Sequence, residues 1–212
     1  NNAAVDHFRI RVHGRSTHVS TPHLGVDALY IASQIVVAVQ GLVTRRTSPT
    51  EPVIIGIGKL NAGTTYNAVA AFAEMEGTTR TISQESRDRV RAQVSETAQS
   101  IAALYGGTAE IEWTDFAAAL VNDPQVCEEA AQVVDELLGE GHVVTDRELS
   151  LSGDNFAEFE LYKPGAYAYL GTGNQDFPHT MITNHNGGFD VDENALVTGA
   201  GLYVGYTVAQ LG

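Results

Sequence analysis

The sequence predicts a mixed α/β (α+β) fold in which a β-α-β-β-α-β unit is followed by a second, helix-rich segment. Three observations carry this expectation. Four stretches read as strands, two stretches between them repeat apolar residues at three- and four-residue steps, and beyond Phe116 helices alternate with short strand candidates.

In "DHFRIRVHG" Phe8, Ile10 and Val12 alternate with Arg9, Arg11 and His13, and Gly14 ends the strand. "HGRSTHVSTPH" leads to a helix that Asp27 can cap, with Leu29, Ala32, Ile35, Val36, Val39 and Val43 on one face. "SPTEP" breaks the chain. "VIIGIGKL" reads as a second strand and "NAGTTYN" as a turn. "AVAAFAEMEGTTRTI" is a long third strand with Glu74, Glu76, Thr78 and Arg80 on one side. Ser83 caps a second helix carried by Val90, Val94, Thr97, Ile101 and Leu104, which "YGG" stops. Ile111 and Trp113 then alternate with Glu110 and Glu112 in a fourth strand. Over residues 7–116 this order is the split βαβ, or ferredoxin-like, plan, with two helices covering one face of a sheet.

In the second segment Asp123 and Pro124 start a helix whose stripe is Val126, Ala130, Val133, Val134 and Leu137, and "GEG" ends it. "HVVT" is a short strand candidate, "SGDNFAEFELY" a loop entering a short helix, and "GAYAYLGTG" a buried strand with a glycine-rich exit. "DENALVTGAGLYVGYTVAQL" reads as a closing helix capped by Asp192. Such alternation implies part of a parallel or mixed sheet, with fewer strands than a covered sheet of that class usually has.

Hydrophobic residues make up 43% of the 212, enough for a core. The 26 acidic side chains outnumber the 12 basic ones, giving a formal charge of -14 that repels phosphate backbones and anionic lipid. Nucleic acid and membrane surfaces are therefore not expected as partners, and no apolar run approaches the roughly 20 residues of a spanning helix. RNA-binding modules share the ferredoxin-like plan, but their aromatic-rich central strands are missing. Cys127 is the only cysteine, so no internal disulfide forms; its acidic, helical setting points to a buried structural thiol and permits a cytoplasmic location. The chain begins at Asn1 without a basic-then-apolar leader, as expected of a processed product or part of a longer protein.

Histidine is the side chain most often recruited for metal ligation or proton transfer near neutral pH. His13, His18 and His23 flank the first turn, while His179 and His185 lie in "PHTMITNHNGGFDVDE". Neither group has the i, i+4 helical spacing or CxxC pattern that specifies a metal site alone, and a solvated turn histidine is the plainer reading of each. "GTGN", residues 171–174, either presents backbone N–H groups to an anion or is a simple turn. Asn67 reads as a turn-stabilising residue or a ligand contact, and Arg80 as a strand ion pair or a ligand contact.

In order, "GRSTHVSTPHLGVDAL", "GIGKLNAGTTYNAV" with "EMEGTTRT", "PGAYAYLGTGN" and "HNGGFDVDENAL" resemble the M20 metallopeptidase family. Within it they resemble the amidohydrolase branch that cleaves N-acyl amino acids, hippurate-like compounds and auxin conjugates, and the resemblance runs from about residue 7 to residue 210. It implies that residues 1–116 are a ferredoxin-like lid that also makes a homodimer contact. Residues 117–212 would be the C-terminal part of a zinc-peptidase-like α/β catalytic domain. It further implies His185 as a ligand to one of two bridged divalent ions, zinc or manganese, and His18 as the lid histidine that steadies the oxyanion. Asn67 and Arg80 would be lid contacts to a small N-acyl amino acid or peptide substrate, with Gly173 in the turn facing its carboxylate. Two such ions, about 3.5–4 Å apart, activate a bridging water and polarise the amide carbonyl.

The family's other metal ligands precede the lid: a Cys or His, Gly, His, Asp arrangement, a pair of adjacent glutamates and a further His. This sequence holds none of them. Glu128 and Glu129 are adjacent but follow the lid. One histidine cannot hold zinc where three or four ligands are normal, so the chain alone is expected neither to retain metal nor to catalyse. Ala70 stands where the family commonly has proline, and Asp154, Asn155 and Phe156 where it has Glu-Asp-Phe. Two alternatives follow from the same residues: a noncatalytic homodimerisation module with a ferredoxin-like sheet, and a small-ligand regulatory domain of the same plan.

Overall fold

In the computed structural model, which describes residues 1–212, one unit comprises residues 1–121 with 149–161 and a second comprises residues 122–148 with 162–212. The first unit contains β1 (Ala4–His13), α1 (Ala28–Gly41), β2 (Ile54–Ala62), β3 (Phe72–Thr81), α2 (Gln84–Leu104) and β4 (Thr108–Ala117). The sheet order is β2-β3-β1-β4 with every pair antiparallel, which is the ferredoxin-like arrangement. Phe8, Ile10 and Val12 of β1 and Met75 of β3 point to one face. There Ile31, Ile35 and Val39 of α1 and Val90, Val94 and Ala98 of α2 close the core. Asp27 accepts the N–H groups of Leu29 and Tyr30, and Ser83 accepts that of Ser86, so both predicted caps form.

α1 continues as a π turn, Leu42–Arg46, held at its end by the Thr47 hydroxyl donating to the Leu42 carbonyl at 3.0 Å. Together they make a 19-residue helix with mean hydropathy 1.3, long and apolar enough to cross a membrane by length and composition. That corrects the expectation of no such run, because Gln34, Gln40 and Gly41 interrupt the apolar pattern without stopping the helix. Its buried side, Ala28, Ile31, Ala32, Ile35, Val39 and Leu42, is part of the core, the role of an interior helix.

Asp6 breaks the apolar rule of β1: it points inward and is 1% exposed. The Arg87 guanidinium meets it from α2, with Nη2 at 2.6 Å from Oδ1 and Nε at 3.1 Å from both carboxylate oxygens. Arg91 at 3.7 Å and Asp115, 3.6 Å from Arg87, complete a four-member network. On the opposite, uncovered face of the sheet, positive β1 lies between acidic neighbours. Arg11 reaches Glu74 and Glu112 at 3.2 Å each, and Glu76 takes Lys59 at 2.6 Å and His7 at 3.1 Å. Alternating charge lets this face stand in water without an apolar cover.

Residues 149–161 return to the first unit. Ala3 donates to the Ser150 carbonyl at 3.1 Å, and short α4 (Ala157–Glu160) offers Glu158 to the Ala118 N–H at 2.9 Å and Glu160 to that of Val121 at 3.0 Å. The Asp154 carboxylate accepts the Phe156 N–H at 2.8 Å, a local turn role for the residue where Glu was expected.

The second unit pairs α3 (Pro124–Leu138) with α5 (Asn194–Leu211). Asp123 caps α3 as predicted; at α5 the Asp192 carboxylate accepts the Asn194 N–H at 3.0 Å, although Glu193 is the residue adjoining the helix. Glu129 ties the two helices, accepting from Tyr206 at 3.0 Å and Gln210 at 2.8 Å. The strands expected at "HVVT" and "GAYAYLGTG" do not form, and residues 168–170 are exposed rather than buried. A strand needs a neighbour for its N–H and C=O groups; here Asn122 supplies both instead, accepting from the Tyr167 N–H at 3.0 Å and donating to its carbonyl at 3.1 Å. Cys127 is half-buried rather than buried.

Asp6→Ala strands the buried Arg87 charge and is expected to cost about 3–5 kcal/mol in urea denaturation, while joint Asp6→Leu and Arg87→Met replacement should recover most of it. The Glu76 carboxyl is lowered from 4.5 to about 2, chiefly by the Lys59 hydrogen bond and next by that of His7. Because its folded value lies below its unfolded one, its stabilisation is complete above 4.5 and lost as pH falls towards about 2. Over that window the urea midpoint of Glu76→Gln is expected to fall less steeply than that of the unsubstituted chain.

Candidate functional site

β1 ends at Gly14 because the chain must pass close to the entry of α1. A Cβ on Gly14 would lie 2.2 Å from the Val26 carbonyl oxygen. Arg15 and Val26 exchange backbone hydrogen bonds at 2.9 and 2.8 Å, closing the histidine-rich connection into a loop around the short helical turn Pro22–Leu24. A second segment braces the loop: Gly14 donates to the Ala71 carbonyl at 2.8 Å, Val69 to that of Thr17 at 2.8 Å, and Val19 to that of Asn67 at 3.1 Å. His18 is thereby bridged to Ala68, beside Asn67, across 50 residues of sequence (68 − 18).

The His18 carbonyl accepts from the Thr21 N–H at 2.9 Å and its hydroxyl at 3.2 Å, which fixes the backbone while the ring stands exposed. Its Nδ1 receives the Ser20 N–H at 3.2 Å. Asn67 is also exposed, its Oδ1 accepting from the Thr65 hydroxyl at 3.2 Å. The Ala70 carbonyl accepts the Ala28 N–H at 2.9 Å, so hydrogen bonding restrains the loop where a proline ring is missing. His13 instead packs on Phe72, ring centres 5.5 Å apart, and faces Glu110 at 3.8 Å, while His23 lies exposed on the helical turn.

Arg80 sits at the other end of β3, in register with Val5 and Ile54. About nine residues of extended strand separate it from Ala71, roughly 30 Å. It forms no ion pair, whereas Arg9, Arg11, Arg87, Arg89 and Arg91 all do. The first unit therefore brings His18 and Asn67 together and holds Arg80 apart from them.

In the second unit Gly173 lies in a turn where a Cβ would meet the Met181 sulfur at 2.9 Å. The Asn174 N–H is spent on the Thr180 hydroxyl at 2.8 Å and is not free for an anion. The Asn174 side chain donates to Asp192 at 2.7 Å, and the Asp192 N–H reaches the Thr172 carbonyl at 2.9 Å. The bond from Asn174, and after it those from the Asn194 N–H and side chain, hold the Asp192 carboxyl below its usual range. Asp192 thus links the Gly173 turn to the loop carrying His185 into α5. His185 is exposed, and its φ of 61° makes it the one non-glycine residue in the left-handed region, a conformation in which histidine is enriched.

No three His, Cys, Asp or Glu side chains gather anywhere in the chain to hold a metal ion, so its own donors do not make a metal site. Sequence reasoning missed Ser20 and the Asn174–Asp192 bond. A serine two residues after a histidine is a visible signal for the first; the second pairs residues 18 apart with no periodic mark.

Residues 4–105 match the family model of the peptidase dimerisation domain. The thermostable carboxypeptidase 1 of Saccharolobus solfataricus is 33% identical over 199 residues, 93% of this chain and 49% of that protein. The N-acetyl-L-cysteine deacetylase of Bacillus subtilis is 32% identical over 196 residues, 92% of this chain and 45% of that one. The crystal structure of a dinuclear metal-binding peptidase from Bacillus subtilis superposes with a TM-score of 0.78 at 28% identity, covering 99% of this chain and 51% of that one. The chain spans about half the length of the curated relatives it matches.

Gly14→Ala forces a Cβ against the Val26 carbonyl and is expected to cost about 1–3 kcal/mol. Amide shifts should change at residues 15–21 and 67–71 and stay unchanged in β4; changes confined to residue 14 and its chain neighbours would refute this coupling.

Proposed function

We infer, from the premise that residues 4–105 are an M20-type peptidase dimerisation domain and that its relatives are hydrolases, that this chain is the lid and C-terminal segment of a metal-dependent amidohydrolase. Its substrates in this reading are N-acyl amino acids or small peptides. The observation that carries it is the pinned loop presenting an exposed His18 ring beside Asn67. In amide hydrolysis negative charge grows on the carbonyl oxygen, and an imidazole N–H placed to meet it lowers the barrier without reorganising. Asn67 adds a second polar group at the same rim.

His185 would give one donor to a dinuclear centre of zinc or manganese ions, with the remaining donors outside residues 1–212. Gly173 would border the carboxylate end of the substrate, and Arg80 would supply a free cation. Since roughly 30 Å of strand separates Arg80 from Ala71, where β3 runs into the segment that braces the His18 loop, one small substrate reaches both Arg80 and His18 in this reading only if a second copy contributes one of them.

A second reading, a noncatalytic homodimerisation module, is favoured by the edge position of β2. Ile54 and Leu60 on β2, with Leu29 and Val37 on α1, are exposed apolar side chains that a second copy can cover.

His18→Ala, made in the hydrolase expressed from its full reading frame, is expected to lower kcat on acetylated amino acids about 10²–10³-fold with unchanged circular dichroism. Undiminished turnover would remove His18 from this role. For the second reading, sedimentation velocity of the 212-residue chain should give a dimer that Ile54→Lys with Leu60→Lys converts to monomer; a monomer at high concentration counts against it.

A further inference from the structure

We propose that Ser20 is the positioning residue for His18, fixing the imidazole in the tautomer that carries its proton on Nε2 and turning that N–H outward. A backbone N–H can only donate, so the 3.2 Å contact from Ser20 to Nδ1 defines Nδ1 as an acceptor. The Ser20 hydroxyl lies 2.7 Å from the same nitrogen and in this tautomer is its second donor. With Nδ1 occupied as an acceptor, the proton of the neutral ring resides on Nε2. That nitrogen makes no hydrogen bond in the chain and stands in the open. The ring cannot escape by moving its backbone, because Thr21 holds the His18 carbonyl and the neighbouring Thr17 and Val19 are bonded to Val69 and Asn67.

This assignment rests on the proposed function for its catalytic meaning but not for its structural content. A solvated turn histidine needs no defined partner at Nδ1. A histidine that must donate to a developing oxyanion needs that nitrogen satisfied from behind, as the partner of the unused nitrogen sets the tautomer. Ser20 touches neither substrate nor reacting atoms in this scheme; it acts through His18 alone.

Long-range proton–nitrogen NMR of the ¹⁵N-labelled 212-residue chain, with its histidines neutral, tests the arrangement without any turnover. The expected spectrum shows an unprotonated Nδ1 on His18, a proton on Nε2 and a scalar coupling between Nδ1 and the Ser20 amide nitrogen. A proton on Nδ1, or an averaging ring without that coupling, overturns the proposal. In the full-length hydrolase Ser20→Ala should lower kcat about three- to tenfold at unchanged KM, and Ser20→Thr should restore it. Unchanged kcat in Ser20→Ala, where His18→Ala is impaired, overturns the positioning role. If His18→Ala itself retains full rate while the coupling is present, the catalytic reading of His18 fails and the tautomer assignment stands.

Discussion

Everything at the His18 rim depends on backbone pairing that carries on beyond the end of the sheet. The β1–β3 ladder runs from Ala4 opposite Thr81 to His13 opposite Phe72, and the same two chain segments stay bonded through Gly14 with Ala71, Thr17 with Val69 and Val19 with Asn67. Gly14 permits the bend because its missing side chain leaves room for the Val26 carbonyl. The polar loop is therefore an extension of the rigid sheet, and a side chain on it inherits the precision of the strands below. A reactive group gains most from such a support, since its orientation need not be recovered from solvent at each turnover.

The sheet itself is stabilised differently on its two faces. Inward, alternate residues of β1 and β3 are apolar apart from Asp6, whose burial is tolerable only because Arg87 meets it with three short contacts. Outward, no helix covers the strands, and rows of Arg and Glu neutralise one another. The acidic excess of the whole chain is thus compatible with a locally balanced face, and net charge says little about any one surface.

The second unit follows another logic. α3 and α5 meet through Glu129, Tyr206 and Gln210, and no residue of α5 is buried. Its stretches of strand-like composition form no strand, and Asn122 satisfies the backbone of Tyr167. Relatives about twice as long contain further chain that this sequence does not, in keeping with two helices and a set of ordered loops rather than a covered sheet.

Local patterns settled the two capped helices, the cap at Asp123, the four strands and their ferredoxin-like order, because helical and strand periods and short-range capping bonds are written within a few residues. They also singled out His18, Asn67, Arg80, Gly173 and His185 as candidates. The absence of strands at "HVVT" and "GAYAYLGTG", the π extension of α1 and the half-exposure of Cys127 were not legible, since each depends on what lies alongside rather than on the residues themselves. Only the tertiary structure decided that His18 stands beside Asn67 and Arg80 stands far away. Proximity across 50 residues comes from strand register and loop pairing, and no local pattern encodes which distant backbone group a given N–H will find.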